Sequence, residues 1–195
     1  MTSAPQGIAL PPIQIQTIML TLVGDSPLIV HAWSEKAKRA MLEKQQKKAT
    51  KAKEVRDPEA EIEACFYRTE SGEYGFPAIG VKAAMVSACR FVDAKMTVAR
   101  GAFHIDAEML PVIGSPRPRE DMVRIGMGTA DLRYRPEFPD WKIPVSIKFN
   151  AGVMSAEQVA NLLDAAGFGV GIGEWRPERN GSYGRFHVGT AEELA

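Results

Sequence analysis

The chain has 195 residues, a length that suits one domain, and 45% of its residues are hydrophobic. Its 24 Lys and Arg residues balance its 24 Asp and Glu residues, which excludes a polybasic, histone-like protein but leaves room for a local basic groove. The three His and two Cys lack the spacing of a zinc site, so we predict no metal. The uncharged start of the chain and the lack of a long apolar run predict a cytoplasmic protein without a signal peptide or a membrane span.

The N-terminal part of the chain predicts one strand followed by a charged insertion. Residues 1–12 are expected to form a flexible tail, and residues 13–24 alternate apolar and polar side chains as a half-buried strand does. A helix is predicted from Ser34, with an apolar stripe that ends after Leu42. The segment at about 43–60 is highly charged and has few apolar anchors, so we expect it to protrude. It forms either a solvated face or a basic finger that contacts phosphates, and the candidate contacts are Lys44, Lys47, Lys48, Lys51 and Lys53.

The rest of the chain predicts two helices among several strands. The predicted elements are a hairpin with its first strand at 61–68 and its turn at 70–72, a helix at about 80–92, strands at 97–105, 109–113, 121–127, 129–135 and 141–149, and a final strand in "YGRFHV". The clearest helix follows Ser155, which serves as N-cap, with Gln158 completing a capping box and Gly167 marking the end.

Without its insertions, this order is β-α-β-β-α-β, which predicts an α+β ferredoxin-like fold. In that fold an antiparallel sheet carries its helices on one face and leaves the other face open to a ligand.

The stretch "AGFGVGIGEWRPERNGSYGRFHV", residues 166–188, is the main candidate site. A glycine-rich nucleotide motif must follow a strand and open a helix, whereas this run follows a helix and leads to a strand, so we predict no nucleotide cofactor. Its glycines could let a polynucleotide approach the main chain, with arginines at phosphates and aromatic rings stacked on bases. Alternatively, the glycines only make turns and the aromatic side chains cover the core. The candidates are Gly171, Gly173, Trp175, Arg176, Arg179, Tyr183, Gly184 and Arg185.

Three segments together resemble the RAMP superfamily, the repeat-associated proteins that form CRISPR effector backbones and processing nucleases. The first strand with "GDSPLIVHA" is similar to the opening strand and turn of that family, and "GFPAIGVKAAMVSACR" resembles its "pyIPGSSLKGalRs" segment. The final "GSYGRFHV" is similar to its "RGyGrv" loop and closing strand. The second segment lacks the serine pair and second glycine of "GSSLKG".

The resemblance implies a single RAMP-like domain over residues 13–195 that binds single-stranded nucleic acid, with RNA favoured over DNA. It further implies a homo-oligomer or filament, a repeated subunit of a ribonucleoprotein, with other effector subunits as partners, or a stand-alone phage or mobile-element relative. The resemblance assigns RNA contacts to Lys82 and Arg90 at the second segment, and to Gly171, Gly173, Arg179, Gly184 and Arg185 at the loop.

Three alternatives stay open. One is a phage-type single-stranded-DNA binding or annealing protein for replication or recombination, which needs the same groove and stacking side chains. Another is a RAMP-type endoribonuclease, for which His31 and Asp25 are the candidate catalytic residues, since an imidazole can act as general base on a 2′-hydroxyl. A turn-forming role for Asp25 and a half-buried position for His31 explain both residues without catalysis, so a binding protein is favoured over an enzyme. The last is a structural or assembly protein in which the glycine-rich loop only reverses the direction of the chain and binds nothing.

Overall fold

The structure is a computed structural model that describes residues 12–33, 35–46, 56–125 and 128–194. Residues 1–11 of the tail predicted at 1–12 lie outside the described residues, as do the candidate contacts Lys47, Lys48, Lys51 and Lys53 and the side chain of Lys44. Within those ranges, no helix has the length and apolar character that crossing a membrane requires.

The described residues contain six α-helices, two 3-10 helices (Cys89–Phe91 and Pro177–Arg179) and ten strands. The helices are α1 (Glu35–Gln45), α2 (Pro58–Glu63), α3 (Ala78–Ala88), α4 (Met96–Ala102), α5 (Ala156–Gly169) and α6 (Ala191–Leu194). The strands are β1 (Ile15–Gly24), β2 (Leu28–Ile29), β3 (Tyr67–Arg68), β4 (Tyr74–Pro77), β5 (Phe103–His104), β6 (Met109–Pro111), β7 (Arg117–Ile125), β8 (Thr129–Phe138), β9 (Lys142–Asn150) and β10 (Phe186–Val188).

The central sheet has the order β10-β1-β9-β5, and every neighbouring pair is antiparallel. α3 lies between β1 and β5 along the chain, and α5 lies between β9 and β10. This is the strand order of the ferredoxin-like β-α-β-β-α-β unit, so the predicted α+β fold with an antiparallel sheet is confirmed. Two smaller sheets join it, with the orders β2-β8-β7 and β3-β4-β6.

One face of the central sheet builds the core because its strands alternate. In β9 the buried side chains are Ile143, Val145, Ile147 and Phe149, and the residues between them are half-buried or exposed. In β1 the matching positions Leu22, Leu20 and Ile18 pair with the first three of these. The helices cover this face with Val81 and Met85 of α3 and Val159, Leu162 and Leu163 of α5. Each such side chain contributes about 1.5–3 kcal/mol when it is fully buried.

The other face of the central sheet is open along β1 within the described residues, whereas Glu193 of α6 contacts Lys142 and His187 on the same face. Ile15 and Met19 of β1 are 62% and 69% exposed, and Met19 pairs with Ser146 of β9. Alternation places no Phe, Tyr or Trp from the four described strands on this face, so it lacks the rings on which bases stack in single-strand readers.

α5 begins as its sequence predicts. The amide of Gln158 donates to Ser155 Oγ at 3.1 Å, and the amide of Ser155 donates to Gln158 Oε1 at 2.9 Å, which completes the capping box. The helix continues past the predicted end at Gly167 to Gly169. At Gly167 the backbone of α5 packs directly against the backbone of β10, because a Cβ there would lie 1.8 Å from the carbonyl oxygen of Phe186.

Two predicted strands are helices in the structure. The segment predicted as a strand at 97–105 contains α4, because buried Ala99 and Ala102 are three residues apart on one helical face, and this spacing outweighs the β-propensity of Val98. The first half of the predicted strand at 61–68 belongs to α2. Its start signal is Asp57, whose side chain accepts from the amide of Ala60 and which precedes a proline at the first helical position.

We predict opposite effects for alanine at two helical glycines. Gly167→Ala should destabilise the protein by about 2 kcal/mol or more, because the new methyl overlaps the β10 backbone. Gly101→Ala in α4 is the matched control, since its Cβ meets nothing within 4 Å, and it should stabilise the protein by up to about 1 kcal/mol. Urea unfolding of both variants measures this, and equal effects would contradict the proposed contact.

Candidate nucleic-acid interface

The glycine-rich loop, residues 170–185, folds tightly against its own chain. Gly173 and Gly184 have φ values of +77° and +63°, and a Cβ would lie 2.5 Å from the Ile29 carbonyl oxygen and 1.8 Å from the Ile172 carbonyl oxygen, respectively. The amide of Gly171 donates to the carbonyl of Ala166 at 2.8 Å. These glycines are therefore required by the packing of the loop itself, and the Gly171 N–H is not an open donor.

The loop is also bonded to the turn that follows β1. The amide of Gly184 donates to the Pro27 carbonyl at 2.8 Å, and the amide of Arg185 donates to Ser26 Oγ at 2.9 Å across 159 positions of sequence. The amide of Asp25 donates back to the Arg185 carbonyl at 2.9 Å. Two of the segments that carry the sequence resemblance are thus in direct contact.

The third segment meets them across a cleft of about 250 Å³. The start of α3 contributes Pro77, Ile79 and Gly80 to one wall, and the loop contributes the opposite wall from Val170 to Glu174. His31 lines the cleft as well. The fold therefore gathers the three segments around one opening.

Two of the predicted cationic contacts are paired with the same carboxylate. Arg90 Nη2 lies 2.7 Å from Glu178 Oε1, and Arg176 Nη2 lies 3.0 Å from Glu178 Oε2. Arg176 Nη1 also donates to the Gly173 carbonyl at 3.1 Å. Partial burial opposes ionisation of Glu178, but its bonds to Arg176 and Ser87 and the charge of Arg90 outweigh this and lower its pKa.

The two candidate catalytic residues have different partners. His31 Nδ1 lies 3.7 Å from Glu174 Oε1, and the interaction with His31, aided by the charges of Arg135 and Arg176 against partial burial, lowers the pKa of Glu174. Asp25 Oδ1 lies 2.7 Å from His187 Nδ1 instead. His187 was not singled out in the sequence, although its place in the closing strand, opposite Val23 of β1, puts it beside the turn at Asp25.

An arginine-rich face of the β7–β8 hairpin is the main feature that sequence reasoning missed. Alternation and register place four arginines on one side of the ribbon, and we call this set the arginine face: Arg117, Arg119, Arg133 and Arg135. The sequence signal for this face is the spacing of two residues between successive arginines in "RPRED" and "RYRPE", because every second residue of a strand lies on the same side. Arg119 and Arg135 are directly opposite each other, a like-charge pair that requires nearby carboxylates.

Carboxylates between these arginines supply that compensation. Glu137 is 2% exposed and accepts from Arg117 Nη2 at 2.5 Å and from Arg119 Nη1 at 2.6 Å. Burial raises the pKa of Glu137, but the two arginines outweigh it, so its pKa is lowered. Asp121 accepts from Arg119 Nε at 2.9 Å and lies 3.8 Å from Arg135 Nη1. Arg135 is 8% exposed, and its Nε and Nη1 have no hydrogen-bond partner in the described part of the chain.

The loop rests on the arginine face through an aromatic contact. The guanidinium of Arg119 lies over the ring of Tyr183, 4.6 Å from its centroid. Three other predicted loop contacts, two exposed and one half-buried, lie near Tyr183 in the chain. Trp175 is 41% exposed with a left-handed φ of +55°, and Arg185 is half-buried with Nε donating to the Ser182 carbonyl. Arg179 is exposed and makes no ion pair or hydrogen bond through its side chain within the described ranges.

The remaining predicted contact, Lys82, lies on α3. Its Nζ is 3.1 Å from Nδ1 of His104 on the edge strand β5, so it contacts the sheet edge. Within the described residues, no hydrogen bond or ion pair joins the Lys82 side chain to the glycine-rich loop.

No family model matches the chain, and no curated protein matches it. Among solved structures it is similar to the crystal structure of Cmr6 from Pyrococcus furiosus, with a TM-score of 0.49 and 11% sequence identity. The similarity covers 91% of this chain and 100% of the other. It is a similarity of overall fold and carries no residue role over to this chain.

The His187 cluster predicts a pH-dependent stability. Burial disfavours the charged imidazole, but bonds to Asp25 and to Glu193, 3.0 Å from Nε2, outweigh it and raise the pKa of His187. A raised pKa in the folded state contributes stability below the ordinary value of about 6.5, and this contribution is lost as the pH rises through the folded-state pKa. Because His187 is one-third exposed, we expect less than about 1 kcal/mol.

Urea midpoints measured from about pH 5.5 to pH 8.5 test this. His187→Asn should remove the fall in stability with rising pH, and His104→Asn is the control for loss of an imidazole from the same sheet. An unchanged pH profile in His187→Asn would contradict the assignment.

Proposed function

We propose that this protein binds single-stranded RNA and works as a repeated subunit of a ribonucleoprotein assembly. The binding region is the loop–hairpin surface, which we define as Trp175, Arg179 and Arg185 of the loop together with Arg117, Arg119 and Arg133, the three arginines of the arginine face that are not buried. The observation that carries the proposal is the Tyr183–Arg119 contact, because it joins a loop bearing an exposed tryptophan to a ribbon bearing four arginines.

The chemistry of this surface suits an unpaired strand. Guanidinium groups bind phosphates as charged donors, and an exposed indole can stack on an unpaired base. In a duplex the bases are stacked on each other and are not available to an indole. The open face of the central sheet has no aromatic ring on its strands within the described ranges, which favours the loop–hairpin surface over the sheet as the binding region.

The charge pattern favours weak binding by each copy. Arg117, Arg119, Arg90 and Arg176 are all paired with carboxylates of the same chain, and the formal net charge is zero. Few cations are therefore available to displace counterions from a strand, and the affinity of one copy should be modest. Several copies on one strand gain affinity through high effective concentration, which is the reason for proposing a repeated subunit. Partner effector subunits are part of the same proposal.

Binding to labelled RNA and DNA oligonucleotides of the same sequence, across a salt series, tests the proposal. RNA is expected to bind more tightly than DNA because a 2′-hydroxyl offers additional contacts. Equal or stronger binding of DNA would favour the single-strand annealing alternative. Absence of salt-dependent binding to either would refute a nucleic-acid function.

The double substitution Arg179→Ala with Arg185→Ala should weaken RNA binding about tenfold near physiological salt. It should also flatten the slope of log affinity against log salt by about 1.4, since each phosphate contact to a single strand contributes about 0.7. Arg100→Ala, which removes an exposed arginine from α4, is the control and should leave binding unchanged. Normal binding by the double variant would show that the loop does not contact the strand.

Trp175→Ala should reduce RNA affinity by about 5- to 150-fold, because stacking of one base on an aromatic ring contributes about 1–3 kcal/mol. Phe168→Ala removes a 77% exposed aromatic ring from α5 and should have no effect on binding. Fluorescence anisotropy with a labelled oligouridine measures both variants. Equal affinities for Trp175→Ala and the parent protein would exclude Trp175 as a stacking residue.

A further inference from the structure

The cleft between α3 and the glycine-rich loop has a charge that disfavours phosphate. Glu178 is already paired with Arg90 and Arg176, and the donors of Arg176 go to Glu178 and to the Gly173 carbonyl. The remaining charged group in the wall is Glu174, whose lowered pKa keeps it ionised at neutral pH. A phosphate in this cleft would meet a carboxylate, whereas a neutral group with hydrogen-bond donors would find an acceptor.

The cleft has the size and walls of a site for one flat ring. Its volume of about 250 Å³ is below the roughly 300–1,000 Å³ of pockets that hold drug-sized ligands. Apolar wall groups include Val30, Phe76, Ile79 and Ile172, and Ile79 is 76% exposed at the rim. Apolar walls with a carboxylate at one side can enclose the faces of a base and read its edge.

The carboxylate of Glu174 can accept further hydrogen bonds beside His31. The 3.7 Å separation between His31 Nδ1 and Glu174 Oε1 is beyond a normal hydrogen bond, and the carboxylate is 42% exposed. The Glu174 backbone is fixed by the bond from its amide to the Ile29 carbonyl at 2.9 Å. The main chain that carries this carboxylate is therefore fixed at the edge of the cleft.

We propose that this cleft holds one guanine base of the bound strand, with the two oxygens of Glu174 accepting from the guanine N1–H and 2-amino groups. Guanine presents two adjacent donors on its Watson–Crick edge, while adenine, cytosine and uracil each present one. The inference rests on the proposed function and adds a base preference to it. The neighbour of Glu174 in sequence is Trp175, a residue of the loop–hairpin surface.

The test compares three oligouridine 10-mers that carry a central guanosine, inosine or adenosine, with affinity measured by fluorescence anisotropy on the parent protein. Inosine keeps N1–H and lacks only the 2-amino group. The guanosine oligomer should bind about five- to tenfold more tightly than the inosine oligomer, since a matched bidentate contact contributes about 1–3 kcal/mol of discrimination. Glu174→Gln should reduce that ratio to less than about twofold, and Glu120→Gln, which removes an exposed carboxylate of the hairpin, should preserve it.

Equal affinity of the parent protein for guanosine and inosine oligomers overturns the guanine site and leaves the proposed function intact. Failure of all three oligomers to bind overturns both. A third outcome is that Glu174→Gln reduces the number of copies per assembly, as measured by light scattering, and leaves the guanosine-to-inosine affinity ratio unchanged. In that case the cleft receives a cationic side chain from another protein chain, and the guanine site is wrong.

Discussion

The backbone contact between the turn after β1 and the glycine-rich loop is the constraint on which the rest of the structure depends. It joins the beginning and the end of the ferredoxin-like unit through the bonds from Gly184 to Pro27 and from Glu174 to Ile29. The two main chains approach so closely that a Cβ at Gly173 would overlap the Ile29 carbonyl oxygen. Because β2 also pairs with β8, the same contact sets the position of the hairpin relative to the loop.

Charge compensation within the chain shapes what this surface can bind. The arginine face needs Glu137 and Asp121 for its own stability, since two of its guanidinium groups face each other across the ribbon. A ligand must therefore compete with internal carboxylates or use cations outside this network, such as Arg179. Polar and aromatic contacts gain importance in such a site, because the attraction of phosphates contributes less than it does in a polybasic groove.

The sequence predicts the ferredoxin-like frame well, for physical reasons that are visible at particular residues. The helix after Ser155 has both halves of a capping box, and β9 has strict alternation, so local signals and tertiary structure agree there. The prediction of a strand at 97–105 is wrong where α4 forms. Thr97 and Val98 favour a strand by propensity, while burial of Ala99 and Ala102 against the core favours a helix. The arginine face was missed because alternating charges in a strand do not reveal which long-range elements will cover them.

The candidate site is predicted in part. Trp175, Arg179 and Arg185 were selected from the glycine-rich run and lie on one loop with exposed or half-exposed side chains. The pairing of Arg90 and Arg176 with one carboxylate depends on the approach of α3 to the loop, and a single sequence does not contain that distance. The same is true of Asp25 and His187, whose contact follows from the β1–β10 pairing.

The central sheet ends in very short strands, and this limits how copies of the protein can associate. Its two edge strands are β10, with three residues, and β5, with two residues, so neither edge strand offers a long row of backbone groups. Pairing of a second copy along either edge strand is therefore disfavoured. Copies bound side by side along one RNA strand would have to contact each other through side chains. One such side chain is Met122 of the hairpin, which is 71% exposed. Contacts of that kind would not impose the fixed backbone register that strand pairing imposes.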